Sequence, residues 1–260
     1  MSKKLQPMPS HQNRFSTRVE NYIKFRPGYP KELLTILKTD CGLTESSTIA
    51  DVGSGTGILS ELFLRNGNRV FGVEPNEPMR AAGERLLSSF AEFVSIEGSA
   101  EATTLDSKSV DFITAGQAFH WFDRDAAKTE FKRILKPKGW VVLVWNERLT
   151  ESTAFLREYE KLLLQYGTDY QEIRHENVEN EIAGFFSPQP FQLQNLPNLQ
   201  RFDLEGLKGR VFSSSYVPEP GHPKFAPLES RLVEIFNIHN QGGEVAFEYV
   251  TKIFYGQLSE

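Results

Sequence analysis

The chain has 260 residues, 39% of them apolar and 12% aromatic, which is enough to bury a sizeable core as one large domain or two small ones. A net charge of −5 gives no overall basic footprint, so a nucleic-acid partner is not expected. The single cysteine, Cys41, rules out an internal disulfide and a multi-cysteine zinc site, and the histidines show no HExxH spacing, so no metal centre is expected either.

In chain order, the opening MSKKLQPMPSHQNRF holds no apolar stretch of the kind a signal peptide needs. The longest uninterrupted apolar run, Trp140 to Trp145, is too short to cross a bilayer. The expectation is a cytoplasmic protein without stable membrane insertion. Tyr22, Arg26 and Tyr29 follow, set in or beside the stiff run Arg26-Pro27-Gly28-Tyr29-Pro30. They either dock the amino-terminal segment or line a pocket, and residues 1–45 are expected to form a helical lid.

From residue 46, strand-like and helix-like stretches alternate. STIADV (47–52), RVFGVE (69–74), FVSIEG (93–98), VDFITAG (110–116) and WVVLVW (140–145) read as strands. Asp123 reads as the N-cap of a helix running to Leu135, stopped by Lys136-Pro137-Lys138-Gly139. Residues 46–150 thus predict a parallel sheet wound right-handedly, with ligands at the carboxyl ends of its strands. Phe155, Tyr159, Leu162, Leu163 and Tyr166 then recur at helical spacing, and Pro188, Pro190 and Pro197 punctuate a polar stretch. Residues 151–200 are therefore expected to be a helical and loop-rich insertion near the acceptor side of the site. Within 201–260, strand-like alternation at 199–216 and 244–256 flanks a helix from Pro227 to His239, supplying two further strands. The predicted fold is α/β: a Rossmann-like, doubly wound, seven-stranded and mostly parallel sheet with helices on both faces.

The stretch ADVGSGTGILSEL (50–62) places Gly53, Gly55 and Gly57 between a strand and a helix, where bare backbone lets a ligand reach the N–H groups at the helix start. A dinucleotide fingerprint would need glycine at 58, where Ile58 stands, and a P-loop would need Gly-Lys-Ser/Thr where the chain has Gly57-Ile58-Leu59. What remains is a nucleoside ligand without phosphates. Asp51 closes the strand before the turn, and Glu74 closes the next, where a carboxylate accepts two hydrogen bonds from a ribose diol and repels a 2′-phosphate.

Five runs, Asp51-Val-Gly-Ser-Gly-Thr-Gly57, Val73-Glu74-Pro75-Asn76, Gly98-Ser-Ala-Glu101, Ser109-Val-Asp111 with Gln117-Ala-Phe-His-Trp121, and Leu135-Lys-Pro-Lys-Gly139, carry a resemblance. Over residues 46–146 the chain resembles the class I S-adenosylmethionine-dependent methyltransferases. Tyr22-x-x-x-Arg26-Pro27-x-Tyr29-Pro30 and Phe119-His120-Trp121-Phe122 look like the small-molecule branch that includes trans-aconitate methyltransferase. The resemblance implies S-adenosylmethionine as cofactor, S-adenosylhomocysteine as product and a small-molecule acceptor as partner. It puts Gly53, Ser54, Gly55 and Gly57 beside the methionine portion, with Asp51 fixing the turn and reaching the amino group. Glu74 would hold the ribose, Pro75 and Asn76 would flank the adenosine, and Ser99, Ala100 and Glu101 would meet the adenine edge. Many relatives carry an acid at position 99, so Ser99 is a departure that shifts weight to Glu101 or the backbone. Gln117 and Ala118 would face the reacting methyl, and Tyr22, Arg26, Tyr29, His120 and Trp121 would line the acceptor side.

Each residue also has an ordinary role to weigh. Glu74 suits a helix start, and Phe119, Trp121 and Phe122 suit a core. His120 reads equally as a packed ring or as a catalytic base. A sulfonium already activates its methyl group, so in-line transfer needs chiefly alignment, and a base such as His120 is required only where the acceptor loses a proton. Three functions follow: methyl transfer to a carboxylate or hydroxyl oxygen, transfer to carbon or nitrogen of a hydrophobic ring or quinone, or cofactor binding without catalysis.

Overall fold

In the computed structural model the described residues are 23–168, 170, 178–214 and 216–259, so Tyr22 lies outside them. The elements run α1 (Glu32–Cys41), β1 (Thr48–Val52), α2 (Ile58–Arg65), β2 (Arg69–Val73), α3 (Glu77–Leu86), β3 (Phe93–Ile96), β4 (Val110–Gly116), α4 (Arg124–Ile134), β5 (Leu135–Arg148), α5 (Ala154–Tyr166), α6 (Val178–Phe186), β6 (Phe191–Phe202), α7 (Leu204–Phe212), α8 (Phe225–His239) and β7 (Val245–Gly256). A short 3-10 turn, Phe119–Trp121, follows β4.

One seven-stranded sheet has the order β3-β2-β1-β4-β5-β7-β6. Strands β1 to β5 are parallel, and β7 runs antiparallel to both β5 and β6. Central parallel strands are covered on both faces and need apolar residues at successive positions, and Val141, Val142, Leu143 and Val144 of β5 are all excluded from solvent. Their alternation sorts the core into layers. Val142 and Val144 pack with Leu33 and Leu37 of α1 and Leu59 and Phe63 of α2. Val141 and Leu143 face the other way, onto Phe131 and Ile134 of α4 and Phe185 and Phe186 of α6. A third cluster joins α5, α7 and α8 to Phe202, Phe247 and Tyr249 at the far edge of the sheet.

The strand order reverses between β1 and β4. That leaves a crevice at their carboxyl ends, and the glycine turn begins there, directly after Val52.

One expectation is corrected. Of the stretch 199–216 only 199–202 is strand: β6 starts earlier, at Phe191 in the stretch expected to be loop, and ends at Phe202, and residues 204–212 are helical. Leu204, Leu207 and Val211 are spaced for a helix face, and Asp203 caps that helix by accepting from the Gly206 N–H at 2.7 Å. Pro197 is accommodated inside β6 because β6 is an edge strand with β7 as its one neighbour. Asp203→Ala is expected to lower stability by about 1 kcal/mol in chemical denaturation, with most of the loss restored in Asp203→Asn. A strand at this position would leave the denaturation midpoint unmoved.

Candidate functional site

Gly53, Gly55 and Gly57 have φ of 68°, 57° and 85°, the left-handed region that side chains disfavour. A Cβ on Gly53 would stand 2.5 Å from Ala118 Cβ, and one on Gly57 2.5 Å from Leu87 Cδ1, whereas one on Gly55 would approach Met79 Cε no closer than 3.4 Å. Gly53 is therefore required by packing against Ala118 as well as by backbone angle, Gly57 by backbone angle with only the tip of Leu87 to give way, and Gly55 leaves the least crowded side of the turn. The Gly53 and Ser54 N–H groups both donate to the Val73 carbonyl, at 2.8 and 3.1 Å, pinning the turn to the end of β2. Gly57 is the N-cap of α2 and supplies no side-chain cap, and in the first turn of that helix the Ser60 N–H donates to Asp51.

Two carboxylates organise this turn. Asp51 is 1% exposed and accepts from the Ser60 hydroxyl at 2.6 Å and the Thr114 hydroxyl at 3.0 Å, tying α2 and β4 to the end of β1. Burial pushes its carboxyl up to about 6, against the pull of those hydrogen bonds. Glu74 Oε2 accepts from the Gly55 N–H at 2.9 Å and Oε1 from the Asn76 N–H at 2.8 Å. Burial raises Glu74 too, and the two N–H groups and Arg80 offset that only in part. Each Glu74 oxygen keeps a further lone pair for an incoming hydroxyl. Asn76 caps α3 by accepting from the Met79 N–H at 3.1 Å, and Pro75 is exposed beside it.

The Ser99–Ala102 loop closes on itself through paired backbone hydrogen bonds of 3.1 and 3.3 Å, with Ala100 buried. Glu101 Oε1 accepts from the Asp123 N–H at 2.9 Å, so it anchors the start of α4. Just beyond, Thr103 donates its N–H and hydroxyl to Glu130, whose carboxyl is held down to about 2, first by Arg133 and then by Thr103. This loop is fixed at both ends.

At the end of β4, Gln117 takes a φ of 57° and its side-chain amide pairs with the backbone of Asn146, donating at 3.3 Å and accepting at 3.0 Å. That amide is engaged with β5, while Ala118 abuts Gly53. The His120 ring lies 4.3 Å from Trp121 and 5.2 Å from Trp145, and Trp121 is 47% exposed. Tyr29 covers Gly116, where a Cβ would stand 3.0 Å from the tyrosine Cζ. The Gly28 carbonyl accepts from Asn146 at 3.1 Å and Asn198 at 2.9 Å, which holds the Arg26–Pro30 run over the ends of β5 and β6. Burial raises the Tyr216 phenol, and Arg210 and Arg26 are among the positive charges that bring it below its ordinary value. Among the described residues the predicted set thus gathers around one end of the sheet. Ser60, Thr114 and Asn146 went unpredicted; polar residues just inside or at the ends of apolar elements are the signal that marks them.

Among the described residues no helix is long and apolar enough to cross a membrane, and no group of three or more His, Cys, Asp or Glu side chains is placed to hold a metal.

Residues 50–143 match the family described as a methyltransferase domain. An uncharacterised methyltransferase of Schizosaccharomyces pombe is 34% identical over 135 residues, 52% of this chain and 53% of that protein. One from Mycobacterium bovis is 33% identical over 149 residues, 57% of this chain and 58% of that protein. The chain spans little more than half the length of these curated relatives. Among solved structures, a putative type II methyltransferase from Anaeromyxobacter dehalogenans superposes with a TM-score of 0.67 at 22% identity, covering 91% of this chain and all of that one. A phosphoethanolamine N-methyltransferase from Haemonchus contortus, in complex with S-adenosylhomocysteine, gives 0.53 at 16% identity, covering 94% of this chain and 58% of that one. These likenesses show the Rossmann-like methyltransferase fold. The methyltransferase-domain segment contains the glycine turn, Glu74, the 99–101 loop and the end of β4.

The position of Asp51 gives a pH signature. Its folded carboxyl titrates at about 6 and its unfolded one at 3.8, so the folded state binds the proton more tightly. Stability is therefore higher below the unfolded value and declines as pH rises through the folded one, by about 3 kcal/mol in all. Asp51→Asn is expected to remove this decline from a plot of melting temperature against pH between 4 and 6. An identical plot for the variant would place the titration elsewhere.

Proposed function

We propose that the chain is an S-adenosylmethionine-dependent methyltransferase acting on an oxygen of a small molecule, within the small-molecule branch its sequence resembles. The carrying observation is the junction of the glycine turn with Glu74: a left-handed turn open at Gly55, joined by a 2.9 Å hydrogen bond to a buried carboxylate at the reversal point of the sheet. This geometry fits a nucleoside bearing an amino-acid arm and no phosphate. The turn backbone runs beside the arm, the spare lone pairs of Glu74 accept from the ribose, Pro75 and Asn76 flank the adenosine, and the 99–101 loop borders the adenine. Asp51 is sealed beneath the turn and acts by positioning it.

The bound cofactor supplies a methyl group already activated by its sulfonium. The chain's part is to align and to exclude water. Ala118 and the backbone at Gln117 border the reacting end, and Tyr29, His120, Trp121 and Arg26 form the acceptor side. The aromatic faces there favour a cation and keep water out. A carboxylate acceptor needs no proton removed, whereas a hydroxyl acceptor would pass its proton to His120.

Calorimetry is expected to show one S-adenosylhomocysteine site in the micromolar range, roughly −7 to −9 kcal/mol. Glu74→Ala should weaken it by about 1.5–3 kcal/mol, and Glu74→Gln, which keeps an accepting oxygen, by less. Unchanged affinity in Glu74→Ala would put the ribose elsewhere, and no binding to the folded wild-type chain would sink the cofactor assignment.

A further inference from the structure

A second polar cluster lies at the same end of the sheet. Arg148 closes β5 two residues past Asn146, on the same face of the strand, and Tyr249 of β7 stands opposite it in the register. Arg210 comes in from α7 and Tyr159 and Glu160 from α5. The Arg148 guanidinium lies 4.9 Å over the Tyr159 ring and that of Arg210 lies 5.9 Å over the Phe247 ring, and these two rings are 4.9 Å apart.

Among the described residues the charges in this cluster do not balance. Arg148 Nη2 donates to Glu160 Oε2 at 2.5 Å and to the Tyr170 hydroxyl at 2.8 Å, and that hydroxyl donates to the same Glu160 oxygen at 2.7 Å. Arg210 is 5% exposed and donates to the Ser214 hydroxyl at 3.1 Å, yet among the described residues no carboxylate pairs with it. Arg148 Nη1, Arg210 Nε, the Tyr159 hydroxyl and Glu160 Oε1 are all buried without a hydrogen-bond partner among the described residues. Enclosing a guanidinium without a counter-charge is strongly unfavourable, and the aromatic faces offset it only in part. The positive potential also registers on Tyr216. Burial alone would push that phenol up, but Arg210, Arg26, a Ser214 hydrogen bond and Arg148 together bring it below the ordinary tyrosine value.

We propose that Arg148 and Arg210 form an anion-binding subsite that holds a carboxylate of the methyl acceptor. A flat two-oxygen group suits planar guanidinium donors set between aromatic rings. The unpartnered Glu160 oxygen suits a donor on the same molecule, so a hydroxycarboxylate satisfies both halves of the cluster. The inference rests on the methyltransferase reading above, and it adds residues on β5 and α7 to the acceptor side formed by Tyr29, His120, Trp121 and Arg26.

The test is calorimetry of malate into the full chain saturated with S-adenosylhomocysteine, with inorganic phosphate as the second titrant. Malate should bind saturably at one site and about tenfold or more weaker in Arg210→Met and in Arg148→Gln, while each variant keeps its S-adenosylhomocysteine affinity within about twofold. That retained affinity also reports that the variant is folded. Absence of saturable malate binding, malate binding unchanged in both variants, or preference for phosphate would overturn the assignment. Failure of the wild-type chain to bind S-adenosylhomocysteine would sink the cofactor reading instead, so the two failures are distinct.

Discussion

The rest of the structure depends on how closely three strand ends are brought together around the residues after Val52. Gly53 N–H and Ser54 N–H share the Val73 carbonyl of β2, and the Cα of Gly53 sits so near Ala118 that a methyl group has no room. Gly83 lets α3 press on the same turn, since a Cβ there would stand 3.3 Å from the Gly55 carbonyl oxygen. A left-handed backbone squeezed between β2, β4 and α3 has little freedom to relax. That rigidity is matched by the turn's own hydrogen bonds, with its N–H groups committed to Val73, Ser54 and Glu74, and two buried carboxylates hold it from below and from the side.

The two carboxylates divide the work by depth. Asp51, with both oxygens engaged by hydroxyls from α2 and β4, is out of reach of solvent and serves geometry. Glu74 is held by backbone N–H groups on either side and is positioned to accept more. Both are raised above the ordinary carboxylate value, chiefly by burial, which is the cost of placing acids where the sheet reverses. The Arg148 and Arg210 cluster is the opposite case at the same end of the sheet. There the chain has buried positive charge in excess of its acids among the described residues. A negative acceptor group beside a positive sulfonium would be matched to this arrangement.

The central sheet was legible in the sequence because its strands are continuous apolar runs bounded by turn residues, as in WVVLVW before Asn146. The glycine turn was legible because three glycines in five positions need a cause. The segment 199–216 is ambiguous in sequence because Leu204, Leu207 and Val211 lie among residues that also alternate, and the capping role of Asp203 shows only in the folded helix start. The resemblance implies that Gln117 faces the methionine portion and the reacting methyl, and its amide pairs with the Asn146 backbone, a long-range contact that no local pattern encodes. Arg148 and Arg210 are 62 residues apart in sequence and meet only because α7 folds back on β7. Their pairing was beyond any spacing rule.

The central claim is that a nucleoside cofactor lies along the glycine turn, Glu74, the 99–101 loop and the end of β4. Hydrogen–deuterium exchange with and without S-adenosylhomocysteine tests it most directly, because those four segments carry their own backbone amides. The account predicts slowed exchange concentrated in peptides covering 50–60, 72–80, 97–103 and 114–122. Protection centred elsewhere, with these four peptides unchanged, would contradict it.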